Sequence, residues 1–314
     1  MAVVSSDLIA AANRGFRALF NEGFNRANPV VDKLATTFVS TGADENYTWL
    51  SDVPAVREWL DERQPGGMKA SSFLVANRDW EASVAVDRNT FEDDKLGMIS
   101  PRVRSLGEAC RMHPDELLFT ILGNLNTGSY TAYDGMYIAC ASHLDPGMAA
   151  GSIQSNVIAS GNGVGSAGPI LVDLAAARAR MRRFYGWRAN DGLSQLRLVG
   201  DVIICPPEAE GYFAQAANAS VLANDDNVIG RQFIKEIIVA EELADTNNWI
   251  LACTNRELKP FIFQSRKWPP EFVSRTKPDD PDVFNKRSFV FGADARYEIA
   301  NARWQQLVLV VNSG

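Results

Sequence analysis

The residues whose spacing most suggests chemistry are Gly163-Val164-Gly165-Ser166-Ala167-Gly168, a formal GxGxxG ahead of a helical stretch. In a dinucleotide fold such glycines permit a tight turn and close approach to pyrophosphate, while the helix N-terminus holds the charge. The surroundings argue against that use. Gly161 broadens the run into a Gly/Ser-rich tract, Pro169 follows it, and residues 156–159 upstream make a poor strand. A turned linker is the better reading. Glu92-Asp93-Asp94 offers paired carboxylates for acid–base or metal work, but no partner residues cluster nearby, so a solvated acidic segment before a helix is expected. Arg178, Arg180, Arg182 and Arg183 could meet nucleic acid, but more often such a run is a solvated helix face or a set of intersubunit ion pairs. His113 and His143 are the only histidines, and Cys110, Cys140, Cys205 and Cys253 are far apart with no CxxC. Reduced thiols and no zinc set follow. No GxSxG, HExxH or Walker pattern occurs. The sequence therefore assigns no catalytic, cofactor-binding or metal residues and implies no cofactor.

The composition is that of an ordinary globular protein. The chain has 314 residues, 38 acidic and 31 basic, for a net charge of -7. An acidic chain is poorly suited to gripping phosphate backbones over a broad surface. No apolar run approaches the roughly 18 residues a membrane span needs, and the N-terminus lacks the pattern of a secretory signal.

The elements that must position these residues follow an α+β order without regular βαβ alternation or internal repeat. Residues 6–26 have helical periodicity, with Leu8, Ile9, Phe16, Leu19, Phe20 and Phe24 on one stripe. That stripe is either a core face or an arm that docks on another subunit. Residues 35–41 are a short β pattern. Residues 45–80 hold Trp49, Trp59 and Trp80, a one-turn helix near 55–60 and a Pro65-Gly66-Gly67 turn, a composition suited to a long projecting hairpin. The longest helical pattern lies within residues 91–124, with Ser100 as cap, Pro101 at the first helical position and a kink or break near His113-Pro114. Residues 123–169 are a Gly/Ser/Asn-rich connector. A helix over 170–185, a buried strand within 196–205, a helix from Pro206-Pro207-Glu208 to about 218, and strands at 248–254 and 260–263 come next. A proline-rich loop over 268–286 then leads to strands at 288–291, 295–300 and 307–311.

Three segments carry a resemblance: Tyr47-Thr48-Trp49-Leu50 followed by Val56-Arg57-Glu58-Trp59-Leu60; Phe91-Glu92-Asp93-Asp94-Lys95-Leu96-Gly97-Met98; and His113-Pro114-Asp115-Glu116-Leu117-Leu118-Phe119. With Tyr133-Asp134-Gly135 and the later His143, they make the chain resemble the Mu-like bacteriophage major head subunit family. The match covers about residues 35–146 well and the remainder by order of elements. It departs from the pattern after His143, where Leu144 and Asp145 intervene before Pro146.

The resemblance implies the tailed-phage capsid fold. It places an N-terminal arm at 1–40, an extended loop at 41–80 that lies over a neighbour, and the first part of a peripheral domain at 81–164, with its spine helix near 91–122. An axial domain follows at 165–255, and 256–314 returns to the peripheral domain, with 307–311 finishing its sheet. It also implies a structural protein rather than an enzyme, a subunit that assembles with itself as hexamers and pentamers into the icosahedral shell around double-stranded DNA, without sequence-specific binding. A separate scaffold protein, a portal and a decoration protein are the further partners, and the virion, assembled in the bacterial host cytoplasm, is the place. No long charged coiled-coil segment precedes residue 35, which favours the separate scaffold. Trp49, Trp59, Phe16 and Phe20 are the expected assembly contacts, because a projecting loop and a one-sided arm gain burial only against a partner. Lys69 lies in the loop, with no motif for a cross-link around it. The alternatives are an encapsulin-like cargo compartment and, further off, a nucleotide-binding enzyme using residues 163–168.

Overall fold

Two sheets, and one long helix lying across both, organise the chain. The computed structural model describes residues 6–50, 72–92, 96–144, 152–160, 162–188, 192–218, 221–222, 225–226, 234–243, 245–277 and 279–312. In chain order, helix α1 (Ser6–Arg26) and the one-turn α2 (Val31–Leu34) lead into β1 (Ala35–Val39). The short antiparallel pair β2 (Asp44–Asn46) and β3 (Leu74–Ala76) precedes β4 (Arg78–Asp87), α3 (Arg88–Glu92) and α4 (Leu96–Gly123). After the connector come β5 (Val157–Ser160), α5 (Ala167–Arg182), the hairpin β6 (Tyr185–Arg188) and β7 (Gly192–Gln195), and β8 (Val202–Cys205). Next are α6 (Glu210–Asn218), the two-residue pair β9 (Val221–Leu222) and β10 (Asp225–Asp226), β11 (Glu236–Val239) and β12 (Trp249–Ala252). The chain ends with β13 (Phe261–Arg275), α7 (Pro281–Lys286), β14 (Ser288–Asn301) and β15 (Leu307–Asn312).

The first sheet has the order β1-β13-β14-β4 and is labelled the peripheral sheet after the expected peripheral domain. Its alternation sends Trp80, Ala82, Val84 and Val86 of β4, opposite Ala295, Ala293, Phe291 and Phe289 of β14, toward α1 and α4. The second has the order β11-β8-β12-β15-β5. Its central strands β8 and β12 are buried at every residue, the pattern of a sheet covered on both faces.

Strand β15 corrects one expectation. Residues 307–311 do not finish the peripheral sheet; they pair with β12 and β5 in the second sheet. Their apolar run is explained by that position. Val308 and Val310 enter the core beneath α5 and α6, while Leu307 and Leu309 enter the core shared with α4.

Helix α4 corrects a second. It starts at Leu96, so Pro101 lies inside it and Ser100 is not its cap, and it runs unbroken through Pro114. The sequence rule fails because each half of α4 rests on a different core. Val103 and Leu106 pack with α1 and the far end of the peripheral sheet, whereas Leu118, Ile121 and Leu122 pack between the two sheets. Burying those three side chains stabilises by about 1.5–3 kcal/mol each, more than the roughly 3 kcal/mol an interior proline costs.

Helix α1 crosses α4 with the backbones touching. A Cβ on Gly23 would stand 2.1 Å from the Arg104 carbonyl oxygen, and one on Gly107 would stand 2.2 Å from that of Phe20. The contact is reciprocal, one glycine from each helix. It places Phe16 against Phe291 (ring centroids 4.8 Å) and Phe20 against Phe272 (5.4 Å). These two side chains, 3% and 1% exposed, are therefore core residues of their own chain and not assembly contacts.

Pro269 and Pro270 also lie in a strand and not in the expected loop. β13 runs through Trp268-Pro269-Pro270, and the pairing with β14 skips from Lys267↔Arg296 to Glu271↔Asp294. This bulge absorbs residues that lack the donor a ladder needs. Residues 288–291 and 295–300 belong to the single strand β14.

Candidate assembly surface

One of the motifs that carry the resemblance becomes a clasp. In Tyr133-Asp134-Gly135, each residue has a separate task. Gly135 has φ +79, a backbone setting that favours glycine. The Tyr133 hydroxyl accepts a 2.6 Å bond from Gln305 Nε2. The Asp134 carboxylate accepts the Met136 N–H at 3.2 Å and lies 2.7 Å from His143 Nδ1. His143 is fully buried, and its other ring nitrogen faces Asn156 Oδ1 at 3.2 Å. Its ring stacks flat on Trp304, with centroids 4.0 Å apart and planes 3° apart. Trp304 in turn meets Phe184 edge-on beyond α5. Asn156 completes the clasp by donating to the Ile138 and Trp304 carbonyls. The connector after α4 is thus fastened to the second sheet by stacking and hydrogen bonds on buried side chains, an arrangement that rigidifies when its polar groups are paired. Pro146 lies outside the described residues.

A second fastening ties the spine to the start of the chain. The buried Asp115 accepts the N–H groups of Val30 and Val31 at 2.7 and 2.6 Å, which caps α2. Burial pushes its carboxyl above the usual range, against the pull of those two donors. Arg111 pairs with Asp32 and stands over the Phe24 and Trp268 rings at 5.4 and 5.8 Å. Lys33 reaches Glu236 of β11 at 2.5 Å, linking the first residues to the second sheet. Sequence reading found none of these partners. The signal was present in His113-Pro114-Asp115-Glu116, whose first acid, Asp115, turns inward to another helix.

The expected projecting loop has a well-held stem. Tyr47 donates to Gln264 Oε1 at 3.0 Å, Gln264 donates to Val75 O and Asn77 Oδ1, and Asn77 donates to Ser40 Oγ and Gly42 O. Glu45 accepts from Ser40, Thr41 and Gly42, and the Thr41 N–H leads in holding its carboxyl below the usual range. Burial pushes the Tyr47 hydroxyl up to about 12. Trp49 meets Phe38 at a tilt and Tyr47 edge-on and is half-buried. It lines an open groove of about 840 Å³ between β1 and the end of β7. Trp59, the helix near 55–60, the Pro65-Gly66-Gly67 turn and Lys69 lie outside the described residues, as do Asp93 and Asp94.

The other candidates resolve simply. Gly163 and Gly165 precede α5 and Gly168 lies in its first turn; Ser160 Oγ and Asn162 Nδ2 both donate to Asp173 Oδ1 and tie the preceding turn to the helix. Of the arginines on α5, Arg178 is buried; burial first, then Arg182, lowers its pKa. Exposed large apolar side chains remain at the loop stem (Val39, Leu74), on α5 and α6 (Val172, Tyr212), and at the far end of the peripheral lobe (Met98, Phe284).

This geometry agrees with the comparisons. The model of the family described as Mu-like prophage major head subunit gpT matches residues 9–173 and 235–312. The Mu-like prophage FluMu major head subunit of Haemophilus influenzae is 26% identical over 306 residues, covering 97% of this chain and 73% of that protein. The major capsid protein of Escherichia phage Mu is 26% identical over 308 residues, covering 98% and 75%. Among solved structures, a chain of the bacteriophage JBD30 procapsid superposes with a TM-score of 0.60 at 24% identity, over 99% of this chain and 77% of that one. A chain of the virus-like particle from Pyrococcus furiosus gives 0.54 at 11% identity, over 94% and 98%. The fold is that of phage capsid proteins, and the chain belongs to the Mu-like prophage major head subunit family.

Proposed function

We propose that this head subunit assembles with itself as hexamers and pentamers into the icosahedral shell that encloses double-stranded phage DNA, in the cytoplasm of a bacterial host. The observation that carries the reading is the family match, which spans both lobes. The mechanism is geometric: many copies of modest heterologous contacts close a shell without bond chemistry. The division implied by the resemblance is proposed with it. The residues described at 44–50 and 72–77 are held by paired side chains, and 165–255 supply three of the five strands of the second, axial sheet. Trp49 beside the open groove is the assembly contact best supported by its surroundings, and Trp59 is proposed with it. A scaffold, a portal and a decoration protein are proposed as separate partners, and the net charge of -7 suits a container that must release its DNA. Electron microscopy of the purified protein, with and without a co-expressed scaffold, is expected to show shells, tubes or capsomers. A strictly monomeric protein under all those conditions overturns the proposal.

A further inference from the structure

The axial sheet is covered on both faces but not at its two edges, β5 and β11. Helix α5 returns alongside β5, and Arg180 in its last turn donates to the Ser155 carbonyl, just ahead of that strand, at 3.3 Å. Arg180, Arg182 and Arg183 are exposed at this corner. Arg182 is also close enough to the buried Arg178 to lower its pKa, after the larger effect of burial. Guanidinium groups crowded in this way gain from nearby carboxylates. Among the described residues, however, neither Arg182 nor Arg183 forms an ion pair.

The other edge carries the opposite sign. β8 and β11 are parallel, so the segments that leave their C-terminal ends lie side by side. Glu208 and Glu210 lead into α6 after β8, and Glu241 and Glu242 form the turn after β11. All four are exposed, and among the described residues none of them forms an ion pair. Tyr212, one turn on from Glu208 and 40% exposed, adds a ring on which a guanidinium can stack. Helix ends favour Arg182 and Glu210 where they stand, but Glu241 and Glu242 belong to no helix. The two corners are diagonal. β5 runs in the same direction as β8, with the arginines at its N-terminal end and the carboxylates beyond the C-terminal ends of β8 and β11. Four steps from strand to strand set the edges roughly 19 Å apart, so no chain can pair the two by itself.

We infer that the arginine corner of one copy, Arg180, Arg182 and Arg183, docks on the carboxylate corner of the next, Glu208, Glu210, Glu241 and Glu242. This deepens the assembly reading and rests on it. The occupant is a second copy because each corner's complement stands on the same chain, out of its own reach. A phosphate backbone would take the arginines but leave the carboxylates without a purpose. The contact joins two different surfaces, so it is heterologous and closes into a ring where the rotation between copies allows. Arginine on carboxylate is directional, and a copy brought up in the wrong order sets like charges against each other.

The test reverses one corner at a time in the full-length protein: Arg182→Glu with Arg183→Glu, Glu241→Arg with Glu242→Arg, and all four together. These side chains are exposed, so every variant is expected to melt at the wild-type temperature. Light scattering and sedimentation give the concentration at which assembly begins. Each two-site variant is expected to raise it at least about tenfold, because like charges then face each other across the contact. The four-site variant is expected to recover most of that loss. The two two-site variants are expected to assemble together on mixing, since each supplies the sign the other lacks. A threshold unchanged in either two-site variant, a four-site variant no better than either, or two-site variants that stay apart on mixing overturns the inference while leaving self-assembly standing. So does an arginine variant whose only loss is affinity for double-stranded DNA. A wild type that never assembles overturns both.

Discussion

The two sheets solve the problem of a second face in opposite ways. The axial sheet has a core on each side: Trp249, Leu251, Val308 and Val310 point to α5 and α6, and Ile204, Ile250, Leu307 and Leu309 to the α4 side. The peripheral sheet has a second core only at its β1 end, where Ile262 packs with Tyr47, Leu50 and Val75; beyond that end it has a core on one side. Its outer face carries Asp79, Glu81, Asp294, Arg296, Lys267 and Glu271, and a groove of about 680 Å³ runs over it between Ser83 and Lys286. The axial sheet is therefore stabilised within the chain, whereas the peripheral sheet offers a wide polar face and, at its end, the exposed Phe284. That division suits a subunit that folds around its covered faces and meets its neighbours with the open face and the free edges.

The largest effect that sharpens this comparison is expected at Trp249. It is fully buried and packs edge-on against Phe213 at 5.2 Å. Trp249→Ala should cost about 3–5 kcal/mol, while an alanine for Asp294 on the outer face should change stability by no more than about 0.5 kcal/mol. Urea denaturation of both variants checks the contrast. Equal losses would mean that the outer face is not spare.

Next in size is the helix crossing that holds the peripheral lobe to its spine. Gly107→Ala places a methyl on the Phe20 carbonyl, and the overpacking should cost about 1–3 kcal/mol. Gly97→Ala on the same helix meets open space and should gain up to about 1 kcal/mol from helix propensity. Opposite signs in thermal melts would locate the α1–α4 seam at Gly107. The same sign in both would remove it.

Some of this was legible in the chain and some was not, for physical reasons. The 3.6-residue stripes of α1 and α4 and the buried run at β8 follow from local periodicity. The sheet to which β15 belongs does not, because a run buried on both faces names no partner. Pro114 was misread because helix rules weigh one turn, and the two cores that hold α4 straddle that turn. The bulge at Pro269-Pro270 exists only through pairing with β14. Tyr133-Asp134-Gly135 and His143 were recognisable as a pattern, but Trp304 and Gln305, which explain them, lie far along the chain. Gly23 and Gly107 left a trace, since a glycine inside a helical pattern often has a packing reason.

A pH effect should divide the lobes further. Burial first holds the His113 pKa below its ordinary 6.5, with Arg78 adding to the effect and Glu116 opposing it. The unfolded chain then binds the proton more readily, so this contribution is present above pH 6.5 and is lost as pH falls through the lowered folded value. His113→Gln should flatten the melting-temperature profile in that window. An unchanged slope would show that the protonation of His113 is not linked to unfolding.

The smallest effect is expected on the outer face itself. Lys267 lies 2.8 Å from Glu271, and that hydrogen bond leads in holding the Glu271 carboxyl below its ordinary 4.5. A lowered carboxyl contributes stability above that value and loses it as pH falls through the folded one. Both groups are solvent-exposed, so salt screens the pair and its worth to the fold is slight. Glu271→Gln should leave the melting temperature unchanged at neutral pH in moderate salt, and lower it only marginally at low ionic strength. The same change should matter more to assembly, because a charge that is screened in the free subunit is partly desolvated when another copy covers the face. A Glu271→Gln protein that melts normally yet assembles with an altered salt dependence would show that the outer face is kept for neighbours. One that loses stability and assembles normally would place this pair with the core, and the contrast between the two sheets would fail there.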